Sequence, residues 1–463
     1  MRQPIKKLLI ANRGEIAVRI IHAARSLGIT SVAACSEADI DSLPARLADE
    51  TVLLGPARAD QSYLNQAALL KAAHECAADA VHPGYGFLSE NAAFADAVEQ
   101  AGLVFVGPTA DTIRLMGDKA AARRTAQAAG VPVVPGSGVL SSLEAALQAA
   151  TEIGYPLLIK AAAGGGGRGI RVVNNEDDLK RELPIAQSEA KAAFGCGDVY
   201  LELFIRHARH IEVQILGDGE RAVHLYEREC SLQRRRQKVF EEAPSSALSP
   251  EQRDALCRSA LQLAQQLCYR SAGTLEYLFD TEREQFYFIE MNTRIQVEHP
   301  VTERVTGVDL VQWMLRIASG EPLALRQEDI ALRGHACEMR INAEDPARNF
   351  FPCPGVVTSL TWPQGPGIRI DSHVFSGYRI PPYYDSLLAK VVVSGADRSQ
   401  ALARAEQALH QLRIDGITTT QSLHQWLLAD PRVRAGRFDT TSLENWLQAR
   451  EADALTADEG GLR

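Results

Sequence analysis

Short apolar runs and amphipathic helical stretches alternate over the first hundred residues. Leu8-Leu9-Ile10-Ala11 reads as a strand, after which Ile16, Ile20, Ala23 and Leu27 share one face of a helix. A strand over 31–34, an alanine-rich helix over 65–77, a strand at Ala80-Val81, a helix over 92–101 and a strand over 103–106 continue the pattern. Strands that alternate with helices predict a parallel sheet covered by helices. Asn12-Arg13-Gly14-Glu15 sits where a dinucleotide fold carries its glycine fingerprint, but GxGxxG is missing, so no nucleotide is assigned to this part.

Gly130-Val131-Pro132-Val133-Val134-Pro135-Gly136 is dense with chain breakers and marks a boundary. Beyond it a compact piece is expected over 132–205, then a larger segment to residue 447. That segment holds a helix opened by Ser249-Pro250-Glu251-Gln252, a capping box with proline at its first position. Leu256, Ala260, Leu263 and Leu267 form its buried stripe. The tail from Glu451 is acidic, rich in small residues and expected to be loose.

Composition narrows the function classes. The 463 residues are 46% hydrophobic and 23% charged, as in a globular protein of two or three packed units. A net charge of -9 argues against nucleic acid as a partner, because phosphate backbones call for a concentrated basic surface. The eight cysteines form no CxxC pair, which speaks against a zinc site or a disulfide framework. No apolar run reaches the ~18 residues of a membrane span. A soluble, cytoplasmic chain with no membrane partner is the expectation.

Two stretches carry candidate chemistry. In the first, Pro156-Leu157-Leu158-Ile159-Lys160 leads through Ala161-Ala162-Ala163 into Gly164-Gly165-Gly166-Gly167-Arg168-Gly169, and Ile170-Arg171-Val172-Val173 follows. Apolar runs on both sides make this strand–loop–strand, not a Walker A loop. Successive glycines let backbone N–H groups close over phosphate oxygens, with Lys160 adding a point charge. A surface hairpin without a ligand gives the same pattern. Lys119 alone is indistinguishable from a solvated helix lysine.

The second stretch is Glu290-Met291-Asn292-Thr293-Arg294-Ile295-Gln296-Val297-Glu298-His299-Pro300. If extended, it puts Glu290, Asn292, Arg294, Gln296 and Glu298 on one face. Glu290 and Asn292 offer hard oxygens to Mg²⁺, and a hairpin through Asp280 brings Glu276 toward Glu290. Arg294 suits a planar anion, Gln296 orients it, and Glu298 can act as a base. The basic run Gln233-Arg234-Arg235-Arg236-Gln237-Lys238 reads equally as a solvated face. Together these parts suit a nucleotide, magnesium and a small planar oxyanion, the combination phosphoryl transfer needs.

These residues resemble a known family. The stretch from Glu290 to Pro300, the run from Ala163 to Gly169, His82-Pro83-Gly84-Tyr85-Gly86-Phe87-Leu88-Ser89-Glu90-Asn91, Met116-Gly117-Asp118-Lys119 and Arg340-Ile341-Asn342-Ala343-Glu344-Asp345 are similar to biotin carboxylase, in the family's order, from about Lys7 to Leu447. The resemblance implies an ATP-grasp fold of α/β and α+β type: a Rossmann-like parallel-sheet domain (1–115), a helical linker (116–131), a mobile glycine-loop lid (132–205), a mixed C-terminal catalytic domain (206–447) and a tail (448–463).

It also implies the ligands and their residues. ATP would be bound by Lys119, Lys160, Gly166, Gly167, Glu202, Leu203, Phe204, Ile205, His210, Gln233, Arg236, Leu278, Glu276 and Glu290. Mg²⁺ or Mn²⁺ would be held by Glu276, Glu290 and Asn292. Bicarbonate would lie against Lys238, Arg294, Gln296, the Val297 amide and Glu298, the base, and Arg340 would stabilise the biotin enolate. Three positions depart from the family pattern: Arg236 stands where histidine is frequent, Ala163 where a glycine is, and Leu203 where lysine is. No Ala/Val-Met-Lys-Met segment occurs, so biotin is expected on a separate carrier protein beside carboxyltransferase subunits, with acetyl-CoA carboxylase the first expectation, and a homodimer is implied.

Overall fold

The computed structural model of the chain describes residues 4–140, 142–161, 171–194 and 197–450. They form two compact units: one takes residues up to 131, 209–277 and from 290 onward, the other 132–208 and 278–289. The expectations for Gly166, Gly167, Ala163 and the tail from Glu451 lie outside the described residues.

In the first unit, strands β1 (Lys7–Ile10), β2 (Thr30–Ser36), β3 (Glu50–Gly55), β4 (Ala80–His82) and β5 (Val104–Phe105) form a sheet of order β3-β2-β1-β4-β5. Every pairing in it is parallel. Leu8, Leu9 and Ile10 are fully buried, as a strand covered on both faces requires. The hydrophobic pattern does not signal β3: it is an edge strand with Leu53 54% exposed, so no buried face stands out. Ile16, Ile20 and Ala23 of helix Gly14–Ser26 pack into one cluster with Leu310, Met314 and Ile317 of helix Leu310–Ala318. That shared core is why the N-terminal sheet and the later segments form one unit.

A larger sheet has the order β13-β12-β9-β10-β11-β14, followed by strands Leu387–Gly395 and Ile368–Ser372. Its members are β9 (Ala208–Asp218), β10 (Ala222–Arg234), β11 (Gln237–Ala243), β12 (Arg270–Asp280), β13 (Gln285–Asn292) and β14 (His335–Asn342). Helix Pro250–Gln266 has the expected capping box: Gln252 N–H donates to Ser249 Oγ at 3.2 Å, and Ser249 N–H donates to Gln252 Oε1 at 2.9 Å. Leu256, Ala260 and Leu263 are buried. No helix among the described residues is long and apolar enough to cross a membrane.

The second unit has a three-stranded antiparallel sheet of order β7-β6-β8, from β6 (Leu157–Ala161), β7 (Arg171–Val173) and β8 (Val199–Leu203). Helices Leu143–Ile153 and Glu176–Phe194 supply Ala146, Ala150, Leu179 and Leu183 to its core.

Candidate active site

Alternation along β9 puts His210, Glu212 and Gln214 on one side of the larger sheet, all buried. Strand β12 adds Thr274 and Glu276, and β10 adds Arg228. The Arg228 guanidinium, fully buried, donates to Glu212 Oε1 at 2.6 Å, Gln214 Oε1 at 2.7 Å and Thr302 Oγ1 at 2.9 Å. A buried cation held on all sides in this way fixes the neighbouring acids.

The basic run 234–238 turns out to be a hairpin turn. Arg234 pairs with Gln237 across β10 and β11, and Arg235 and Arg236 between them take φ of 48° and 64°, as a two-residue turn of this hand demands. Arg236 stays exposed at the cavity mouth. Lys238, two residues on, points inward, and its Nζ donates to Glu212 Oε2 at 2.5 Å, Glu298 Oε1 at 2.6 Å and Glu276 Oε1 at 3.0 Å.

The polar stretch departs from the extended form expected of it. Strand β13 stops at Asn292, and Glu298 becomes the N-cap of helix His299–Thr306 with φ -80° and ψ 10°. Pro300 is the cause: it cannot donate in a ladder, and its fixed φ suits the first turn of a helix. Past Asn292 the two-face alternation is therefore lost, and Thr293, Ile295, Gln296, Glu298 and His299 are all buried.

The polar side chains converge even so. Asn292 Nδ2 and Gln296 Nε2 both donate to Glu276 Oε1, at 2.9 and 3.0 Å. Arg340 on β14 donates to Glu298 Oε2 at 2.9 Å and Glu241 Oε1 at 2.6 Å. His210 Nε2 lies 3.2 Å from Glu276 Oε2, and Gln233 Nε2 lies 3.0 Å from His210 Nδ1. Arg294 donates through Nε to Glu90 at 2.8 Å, through Nη1 to Gln296 and Ile295, and through Nη2 to Asn292. These bonds occupy four of its five N–H groups, fewer being left for an anion than the two a bidentate grip uses. Lys119 is solvated, its side chain 87% exposed and its ammonium 3.6 Å from Glu290.

The charges set one another. Burial alone pushes the Glu298 carboxyl up, but Lys238, Arg340 and Arg228 outweigh it and hold it well below the usual carboxylate range. Glu276 is held low against burial by Lys238 and His210. Burial acts downward on Lys238, yet Glu212, Glu298 and Glu276 keep it protonated. Glu241 goes the other way: burial and the neighbouring Glu298 push it up to about 7 against the pull of Arg340.

Of these residues, His210, Gln233, Arg236, Lys238, Glu276, Glu290, Asn292, Arg294, Gln296 and Arg340 line one cavity of about 740 Å³. Glu298, with no exposed surface, lies behind Lys238 and Arg340. Tyr85, Gly86 and Phe87 also form part of its wall. Asn12 Nδ2 holds that loop by donating to the carbonyls of Pro83 and Tyr85, each at 2.7 Å. At Gly84, where φ is +63°, a Cβ would meet Asn12 Nδ2 at 2.9 Å, so a side chain there would push the wall away. The Asn12-Arg13-Gly14-Glu15 segment, which lacks a dinucleotide fingerprint, thus builds the cavity instead.

The remaining nominated residues belong to the second unit. There Lys160 is ion-paired with Glu202 across β6 and β8. Leu203, Ile205 and Leu278 join Val134, Ala208 and Tyr287 in one apolar cluster. Phe204 is half-buried, its N–H donating to Pro156 O at 2.9 Å.

Sequence reasoning missed Glu212, Arg228, Glu241 and Glu90. The alternation of His210, Glu212 and Gln214 with Ile211, Val213 and Ile215 was the available signal for Glu212. Nothing local marks Glu241, whose importance comes from Arg340 lying on the neighbouring strand. As for a metal, Glu276 and Glu290 give the cavity ionised or half-exposed hard oxygens, and Asn292 contacts Glu276 directly. That donor set fits a small divalent cation that shares its remaining positions with phosphate oxygens.

The comparisons agree from residue 4 to residue 445. Residues 4–113 match the family described as biotin carboxylase, N-terminal domain; residues 338–445 match biotin carboxylase C-terminal domain; residues 118–326 match the ATP binding domain of the carbamoyl-phosphate synthase L chain. A biotin carboxylase of Pseudomonas aeruginosa is 54% identical over 446 residues, 96% of this chain and 99% of that protein. The biotin carboxylase domain of a thermophilic 2-oxoglutarate carboxylase bound to bicarbonate superposes with a TM-score of 0.90 at 46% identity, covering 96% of this chain and 98% of that one. The biotin carboxylase subunit of a pyruvate carboxylase gives 0.89 at 48%, covering 95% and 98%. With the cluster on Lys238 and Arg340 and these matches from residue 4 to residue 445, the chain belongs to the biotin carboxylase family of ATP-grasp ligases.

Proposed function

We propose that this chain uses ATP and bicarbonate to carboxylate biotin borne on a separate carrier protein, as the biotin carboxylase subunit of acetyl-CoA carboxylase, and that it works as a homodimer beside carboxyltransferase subunits. The supporting observation is the ammonium of Lys238 bonded to Glu212, Glu276 and Glu298, with Arg340 closing the cluster from β14. In this reading Lys238 and Arg340 are the cations that bind anions at the cavity, and Glu298, buried behind them, is the carboxylate base.

Gln296, the Val297 N–H and the remaining N–H of Arg294 orient bicarbonate, while Lys238 neutralises charge as a bicarbonate oxygen attacks the γ-phosphate of ATP and ADP leaves, giving carboxyphosphate. Glu298 takes the bicarbonate proton. Its depressed pKa makes it a weak base when the cavity is empty, but a second anion drawing on the same Lys238 raises it. Mg²⁺ or Mn²⁺ on Glu276, Glu290 and Asn292 supplies charge neutralisation at the phosphates. Carboxyphosphate then gives CO₂ and phosphate, the phosphate removes the N1′ proton of biotin, and Arg340 steadies the enolate that captures CO₂.

The nucleotide contacts belong to the same proposal. Lys119, Lys160, Gly166, Gly167 and His210 grip phosphates or ribose, and Glu202 to Ile205, Gln233, Arg236 and Leu278 frame the base and sugar. So does the division into 1–115, 116–131, 132–205, 206–447 and 448–463. The test is ATP hydrolysis by the purified chain. Hydrolysis that depends on bicarbonate and rises with free biotin is expected; ATP binding without such hydrolysis would leave a regulatory nucleotide-binding subunit. Capture of a biotinylated partner identifies the complex, and a carrier of pyruvate, propionyl-CoA or urea carboxylase would replace acetyl-CoA carboxylase.

A further inference from the structure

We propose that His299 is a positioning residue for bicarbonate: with Lys390 it pins the two carbonyls that flank the Val297 α-carbon and so aims the Val297 N–H into the cavity, a role that rests on the bicarbonate site proposed above. His299 Nδ1 lies 2.8 Å from the carbonyl oxygen of Gln296. A carbonyl only accepts, so the ring proton sits on Nδ1. The other ring nitrogen, Nε2, is buried and has no hydrogen-bond partner among the described residues, as the bare nitrogen of a neutral ring would be. Burial, with Lys390, Arg19 and Arg369 nearby, keeps the ring neutral.

The peptide between Gln296 and Val297 is trans, so its N–H points opposite to its C=O. Tying the Gln296 oxygen to His299 therefore turns the Val297 N–H the other way. Gln296 and Val297 both line the cavity, and this N–H finds no acceptor among the described residues. The following peptide is fixed independently. Lys390, with no exposed surface, donates to Val297 O at 3.0 Å and stands 3.0 Å from Glu15 and 3.8 Å from Asp371. Both peptide planes at Val297 are thus held from behind, and the donor is oriented before an anion arrives. Pro300, by starting the helix, brings His299 back over Gln296.

The test uses the whole chain with bicarbonate as the probe. In His299→Leu the bicarbonate KM of ATP hydrolysis is expected to rise about tenfold or more, with ATP affinity within about twofold, since a misdirected donor forfeits much of one oriented hydrogen bond. In His299→Asn, whose amide nitrogen takes the place of Nδ1, the bicarbonate KM is expected within about threefold of the parent. A folded Leu variant with an unshifted bicarbonate KM, or an Asn variant as impaired as Leu, overturns the role. Should the Leu variant not fold, His299→Gln replaces it, because its amide reaches the Nε2 position; equal bicarbonate KM values in Asn and Gln then overturn it. Absence of bicarbonate-dependent hydrolysis in the parent chain would remove the functional reading, and this role with it. Normal parent activity with unshifted variants sinks the positioning role alone.

Discussion

Glu298→Gln separates chemistry from architecture at this site. The carboxylate accepts from Lys238 at 2.6 Å and from Arg340 at 2.9 Å, and it is fully buried. Glutamine keeps the shape and one acceptor oxygen but removes the charge and the basic lone pair. Lys238 would still hold Glu212 at 2.5 Å and Glu276 at 3.0 Å, and Arg340 would still hold Glu241 at 2.6 Å. Each cation thus keeps a carboxylate, and the stability loss should stay near about 1–3 kcal/mol, that of a weakened charged hydrogen bond. Loss of a general base costs about 10²–10⁴ in rate, or about 3–5 kcal/mol of barrier. Bicarbonate-dependent ATP hydrolysis and biotin carboxylation should therefore fall by at least a hundredfold, while calorimetric ATP affinity moves by less than about threefold. Without Glu298 beside it, Glu241 should also titrate below its present value of about 7. Turnover within tenfold of the parent, or ATP affinity falling in parallel with turnover, would refute the assignment.

Arg340→Ala should damage biotin carboxylation more than bicarbonate-dependent ATP hydrolysis, and equal losses would contradict the enolate role. It should also lower the unfolding free energy by about 3–5 kcal/mol, because Glu241 and Glu298 are left buried without their guanidinium. Five buried histidines are held neutral by burial: His82 and His373 at about 3, His224 and His424 at about 4, and His299 well below its ordinary value. Their folded pKa lies below the unfolded one, so the stability they contribute is present above pH ~6.5 and lost as pH falls toward their folded values. Unfolding at pH 6 should take up about four protons at these groups, read from the buffer dependence of the calorimetric enthalpy; an uptake near zero would show that they are already charged in the fold.

Much of the chemistry was legible in the chain alone. The strand–helix alternation of the first hundred residues specifies a parallel sheet, because period fixes which faces are apolar. The Ser249–Gln252 cap depends on four consecutive residues and formed as read. The stretch from Glu290 to Pro300 declared its acids, amides and guanidinium, and their order carries the family resemblance. What local pattern does not hold is distance between strands. An extended reading placed Glu298 on the same face as Glu290. The fold instead ended the strand at Asn292, capped a helix with Glu298, and brought the side chains together through Glu276, Lys238 and Arg340 on three other strands. Whether Lys238 was a solvated charge or the centre of a buried cluster was decided only when the sheet laid Glu212, Glu276 and Glu298 around its ammonium. Removing those charges from water is tolerable only when each finds its opposite, and opposites 26 to 60 residues apart are chosen by tertiary packing.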